Sequence, residues 1–128
     1  MNTIFGNTMA MTEKSLDFLW KKEAVHATNL SNVDTPGYKS RYVTFEETYR
    51  SKLIAASGTR NRSSVARAID NAGWTVRTTW DETSRLDENN VQTDVEITEL
   101  SRTALQYQNQ LNSLTSDVRR LSSAIKGQ

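Results

Sequence analysis

Four stretches of the sequence carry side chains of types that could do chemistry. Asp87-Glu88-Asn89-Asn90 opens like a calcium loop, a design that needs glycine at its sixth position and a bidentate glutamate at its twelfth. Here Val91 is fifth, Gln92 sixth and Thr98 twelfth, so the liganding pattern fails and the segment reads as a turn. His26 is the only histidine. Acid-base or nucleophilic chemistry needs a second group in hydrogen-bond reach, and none stands at catalytic spacing, so His26 is expected to pack or face solvent. Asp94, Glu96 and Glu99 could act as paired carboxylates, yet they fall in a helical first turn, where the helix dipole already favours acidic residues. Trp74, Arg77 and Trp80 could stack single-stranded bases; with no basic groove around them, packing onto helices is the better reading. There is no cysteine and no glycine-rich phosphate loop, so disulfide, thiolate, zinc and iron-sulfur chemistry are excluded. The chain reads as no enzyme, with no cofactor, metal or small-molecule substrate.

Sixteen basic against fifteen acidic side chains leave a net charge of +1 over 128 residues. The charges are evenly spread, which argues against nucleic acid or an anionic membrane as partner. No stretch is apolar for the roughly 18 residues that a membrane span needs, and no basic flank with an apolar run marks a cleaved signal peptide.

The elements that position these residues follow from periodicity. A helix is expected from about Thr3 to Ser31, with Phe5, Met9, Leu16, Leu19, Trp20, Ala24, Ala27 and Leu30 on one stripe and Ile4, Met11, Phe18 and Val25 nearly opposite. Two apolar stripes call for two partners. In the last third, Ile97, Leu100, Ala104, Tyr107, Leu111, Leu114, Val118, Leu121 and Ile125 alternate spacings of three and four, a heptad seam over residues 94 to 126. Thr93 with Glu96 reads as a capping box at its start and Gly127 as its stop. No charged residue occurs from Thr103 through Ser116. Such a face suits contact with other protein, or a polar, charge-free passage, and ordinary compositional drift would also produce it.

Between the helices, residues 41–56 read as a short amphipathic helix through Phe45, Tyr49 and Leu53, residues 57–73 as a mobile loop, and Trp74 to Asp81 as a half-buried strand. The expected architecture is mainly all-α: long N- and C-terminal helices paired as a coiled coil around a short middle region with a loop and a small β element. Its parts are residues 1–40, 41–93 and 94–128. Seam burial alone is small against the entropy of ordering two long helices, so neighbours must contribute further burial.

One element remains, Asn29-Leu30-Ser31-Asn32-Val33-Asp34-Thr35-Pro36-Gly37-Tyr38-Lys39. Pro36 steers Thr35 from the helical region, Gly37 permits a positive φ, and Asn32 or Asp34 can close the turn. This stretch resembles the signature of the flagellar rod, hook and hook-filament junction proteins, whose N-terminal helix ends in Asn-Leu-Ala-Asn followed by Thr-Pro-Gly-Tyr-Lys. Asn29, Asn32, Thr35, Pro36, Gly37 and Tyr38 carry the match. Leu86-Asp87-Glu88-Asn89-Asn90-Val91, its spacing to Glu96, and Leu105-Gln106-Tyr107-Gln108 are similar to proximal-rod members, which usually carry Gly where Glu88 stands.

The resemblance covers both terminal thirds. It implies a structural subunit of the hollow drive shaft, which transmits torque and surrounds the export channel. Part of the set Gln106, Asn109, Gln110 and Ser113 would then face that channel, where uncharged polar side chains retain passing chains neither by apolar burial nor by charge. Leu16, Leu19, Ala27 and Leu30 would then pair with Leu100, Tyr107, Leu111, Leu114, Val118 and Leu121, while Ile4, Met11, Phe18 and Val25 meet other subunits. The implied partners are other rod subunits and further copies of the chain, with the MS ring and export gate at the base. The implied place is the basal body outside the cytoplasmic membrane, reached without a cleaved signal peptide. The residues by themselves also allow a cytoplasmic helical adaptor or chaperone that binds a client helix.

Overall fold

A computed structural model describes residues 4–45, 62–80 and 85–127. Two long antiparallel helices, α1 (Ile4–Ser31) and α3 (Thr93–Lys126), form the body. Between them in sequence come β1 (Arg41–Thr44), a short helix α2 (Arg62–Asp70) and β2 (Thr75–Thr78). The fold is mainly α, with one two-stranded antiparallel sheet in which Tyr42 pairs with Arg77 and Val43 with Val76.

The middle region differs from its sequence reading. Residues 41–44 are a strand rather than the start of a helix; Tyr42, Val43 and Thr44 are β-formers, and pairing with β2 outweighs the four-residue spacing of Phe45, Tyr49 and Leu53. Tyr49 and Leu53 lie outside the described residues. The loop expected over 57–73 contains α2, because Ile69 and Ala72 bury themselves against the body, and α2 packs on α1. The strand expected from Trp74 is there over four residues, yet it is exposed along three of them. Trp80 lies open, and Trp74 is partly covered by Lys21, 4.9 Å over its ring, while its indole N–H donates to Asp17.

The helix pair is rotated from the expected seam. α1 meets α3 through Ser15, Lys22, His26 and Asn29, which bond to Gln110, Glu99 and Glu96. Leu19 and Thr103 are buried in the same seam. Leu16, Leu30, Leu100, Tyr107, Leu111, Leu114 and Leu121 are only half-buried at its flank, and Ala27 and Val118 are exposed. Phe18 and Val25 turn inward as well: Phe18 stacks on Phe45 with centroids 4.7 Å apart and Val25 is buried. Met11 is half-buried, and the Ile4 side chain lies outside the described residues. Two members of the second stripe, Phe18 and Val25, are thus used within the subunit, Phe18 against Phe45 beside β1. The open apolar surface of the helix pair includes Trp20, 64% exposed, together with Ile97, Leu105, Val118 and Ile125.

Candidate functional site

The polar side chains converge where α1 ends and α3 begins. α1 runs out at Ser31, and a series of turns over 32–37 reverses the chain, with Gly37 at φ 70°. The Gly37 N–H donates to Asp87 O at 2.7 Å, so the turn touches the second signature segment directly. Asn89, wholly buried, donates from one amide to the carbonyls of Asn32 at 2.9 Å and Thr35 at 2.8 Å. Asn90 completes the sheet: its Oδ1 accepts from the Ser40 N–H and its Nδ2 donates to Thr79 O, acting as a side-chain rung at the end of the ladder. Arg85 reaches the Val33 carbonyl and pairs with Asp87. Lys39 donates to Glu88 O. The two segments singled out in the sequence, some fifty residues apart, form one interlocked node.

Asn29 ties that node to the helix pair. Its Nδ2 donates to Arg41 O at 2.7 Å and Glu96 Oε1 at 3.0 Å, and its Oδ1 accepts from the Arg41 N–H and the Tyr38 hydroxyl. The other Glu96 oxygen lies 2.5 Å from His26 Nδ1, the geometry of an imidazole N–H donating to a carboxylate. His26 and Glu96 are both buried. The capping box expected of Thr93 and Glu96 is absent: the cap position is Gln92, without a side-chain bond, because the Glu96 carboxylate is spent on His26 and Asn29. These contacts fix the rotation of the pair, since Asn29 must reach β1 and Glu96 at once.

Electrostatics along the seam are modest. Lys22 Nζ, hydrogen-bonded to Glu99 at 2.8 Å, holds that carboxyl below the usual glutamate range. Burial pushes the Asp87 carboxyl up, but the Asn89 N–H and the Arg85 guanidinium outweigh it and the group lies lower than usual. The Thr103 hydroxyl, fully buried, has no hydrogen-bond partner among the described residues. Among the described residues no group of acidic or histidine side chains could hold a metal, and no helix is long and apolar enough to cross a membrane.

On the β1 side of the pair, a cleft of about 950 Å³ is lined by Phe18, Val43 and Phe45 on one wall and by Gln106, Asn109, Gln110 and Ser113 on the other. The four amide and hydroxyl residues therefore share one face. Gln110 differs from the rest, because its amide donates to Ser15 within the pair; Gln106, Asn109 and Ser113 are exposed.

No family model matches the chain. Curated relatives do. The chain is 26% identical to the flagellar basal body rod protein FlgB of Bacillus subtilis over 127 residues, covering 98% of each. It is 27% identical to that of Aeromonas hydrophila over 97% of this chain and 96% of the other, and 24% identical to that of Escherichia coli over 89% of each. Similarity that runs from end to end, together with two signature segments locked into one node, makes this chain a relative of the flagellar basal body rod protein FlgB.

Proposed function

We propose that the chain is a structural, non-enzymatic subunit of the flagellar basal-body rod, part of the proximal drive shaft that transmits torque and surrounds the export channel. One observation carries this reading beyond the similarities. The two helices meet largely through polar side chains around a small apolar seam and leave Trp20, Ile97, Leu105, Val118 and Ile125 open, the pattern of an element completed by neighbours rather than of a finished monomer. The proposed neighbours are copies of the chain and other rod subunits, with the MS ring and export gate at the base, outside the cytoplasmic membrane. Nothing in the similarities or the node favours the adaptor reading. Gln106, Asn109 and Ser113 are the proposed channel-facing set; Gln110, bonded to Ser15, is withdrawn from it. Lysine at those three positions should leave rods recoverable but slow secretion of hook and filament proteins, and undiminished secretion would remove them from the lining. The reading itself is tested by co-fractionation with detergent-insoluble basal bodies. Recovery there is expected; a purely soluble cytosolic pool would overturn it.

A further inference from the structure

The two edges of the small sheet are treated differently. On the β1 side Asn29, wholly buried, takes the Arg41 N–H and C=O with its own amide, and Asn90 closes the end of the ladder between Ser40 and Thr79. These contacts also fix the phase of the pairing. Main-chain groups alternate in direction along an antiparallel strand, and those of Arg41 face Asn29, so in the observed register the hydrogen-bonded pairs are Tyr42–Arg77 and Thr44–Thr75. Val76 and Thr78 therefore turn their N–H and C=O away from β1, and among the described residues nothing bonds to them there. Beside this open edge Trp74 and Val76 are partly open and Trp80 is 81% exposed. The strand Thr-Val-Arg-Thr carries neither the lysine nor the proline that commonly blunts a free edge.

Such an edge is completed by main chain in extended form, and the side chains say which. Arg77 is exposed and has no ion pair among the described residues. A residue facing it across the open edge belongs to a non-hydrogen-bonded pair, where side chains come closest, so a carboxylate there is the complement. A second β2, with its outward groups opposed, can set only Thr75 or Arg77 in that position and has no carboxylate to offer. We propose that β2 is a docking edge for an extended segment of a different protein, laid antiparallel along Thr75–Thr78, with β-branched residues opposite Val76 and Thr78 and an acidic residue opposite Arg77. Main-chain bonds at Val76 and Thr78 hold the segment, and its β-branched side covers Val76 and Trp74. The inference rests on the sheet and stands apart from the rod-subunit reading.

The probe is a blocked synthetic peptide, Thr-Val-Glu-Val-Thr, titrated into the purified chain while amide exchange is read residue by residue. In the free chain the Thr75 and Arg77 amides, held in the ladder, should exchange slowly and those of Val76 and Thr78 fast. With peptide bound the alternation should vanish, Val76 and Thr78 slowing by at least about tenfold. Peptide methylated on both valine nitrogens should lose this effect, and one with lysine in place of glutamate should bind more weakly. Arg77→Glu should reverse that preference. Thr78→Pro removes an outward N–H and none of the ladder's own, so it should keep Arg77 slow while weakening the peptide by at least about tenfold. A free chain without the alternation, a methylated peptide that protects as well as its parent, or an Arg77→Glu chain that still prefers the glutamate peptide would each overturn the docking. Slowing of Val76 and Thr78 with chain concentration alone would give the edge to a second copy and overturn it too.

Discussion

Asn29 makes four hydrogen bonds from one side-chain amide, two of them to the backbone of Arg41 as a neighbouring strand would. Removing it leaves the part-buried Arg41 N–H and C=O to water and orphans one buried Glu96 oxygen, a loss of about 1 to 3 kcal/mol. Asn29→Ala should therefore speed amide exchange at Arg41 and across the node by at least about tenfold, the equivalent of roughly 1.4 kcal/mol. Glu88 gives the opposite sign. It sits at φ 61°, in the left-handed region, where a side chain costs about 1 to 2 kcal/mol that glycine avoids. Glycine returns part of this as unfolded-chain entropy, so Glu88→Gly should gain roughly 0.5 to 1 kcal/mol. Slower amide exchange around Asn89 would register the gain; a lower stability would mean that the Glu88 side chain contributes something its backbone strain conceals.

At the level of elements, the helix stop at Ser31, the Gly127 cap and the extent of α3 were legible, because each depends on local chemistry: a proline, a left-handed glycine, an unbroken period. The rotation of the pair was not. Periodicity reports which face of α3 is apolar but not which face α1 takes, and that choice is made by Asn29, His26 and Glu96, whose bonds connect residues about seventy positions apart. For the same reason the node was read as a turn and a separate Asp-Glu-Asn-Asn stretch rather than as one object. Strand β1 was missed because a four-residue pairing with distant β2 carries no local signal. The polar seam also has a pH signature. Glu99 titrates below its ordinary value of 4.5 when Lys22 is bonded to it, so the Lys22–Glu99 contact stabilises the pair above that value and is lost as falling pH passes through the folded one. Exchange at the Glu99–Thr103 amides, corrected for intrinsic rates, should rise in acid below about pH 4.5. Lys22→Met should flatten that dependence, and an unaltered profile in the variant would assign it to another group.

For the molecule as a whole, the exposed Trp20, Ile97, Leu105, Val118 and Ile125 mean that much of the available apolar stabilisation is collected only on assembly. The purified chain at micromolar concentration should show weak helical circular dichroism and fast exchange toward the start of α1 and the end of α3; cooperative helical melting of a proven monomer would contradict this. The seam mixes two kinds of contact. Ser15, Lys22, Glu99 and Gln110 exchange one another for water at little cost, whereas Leu19 is buried there and Leu16, Leu100, Leu111 and Leu114 are half-covered beside it. Parting α1 from α3 therefore wets greasy surface that closure keeps dry, and an unzipped subunit is a stickier object than a closed one.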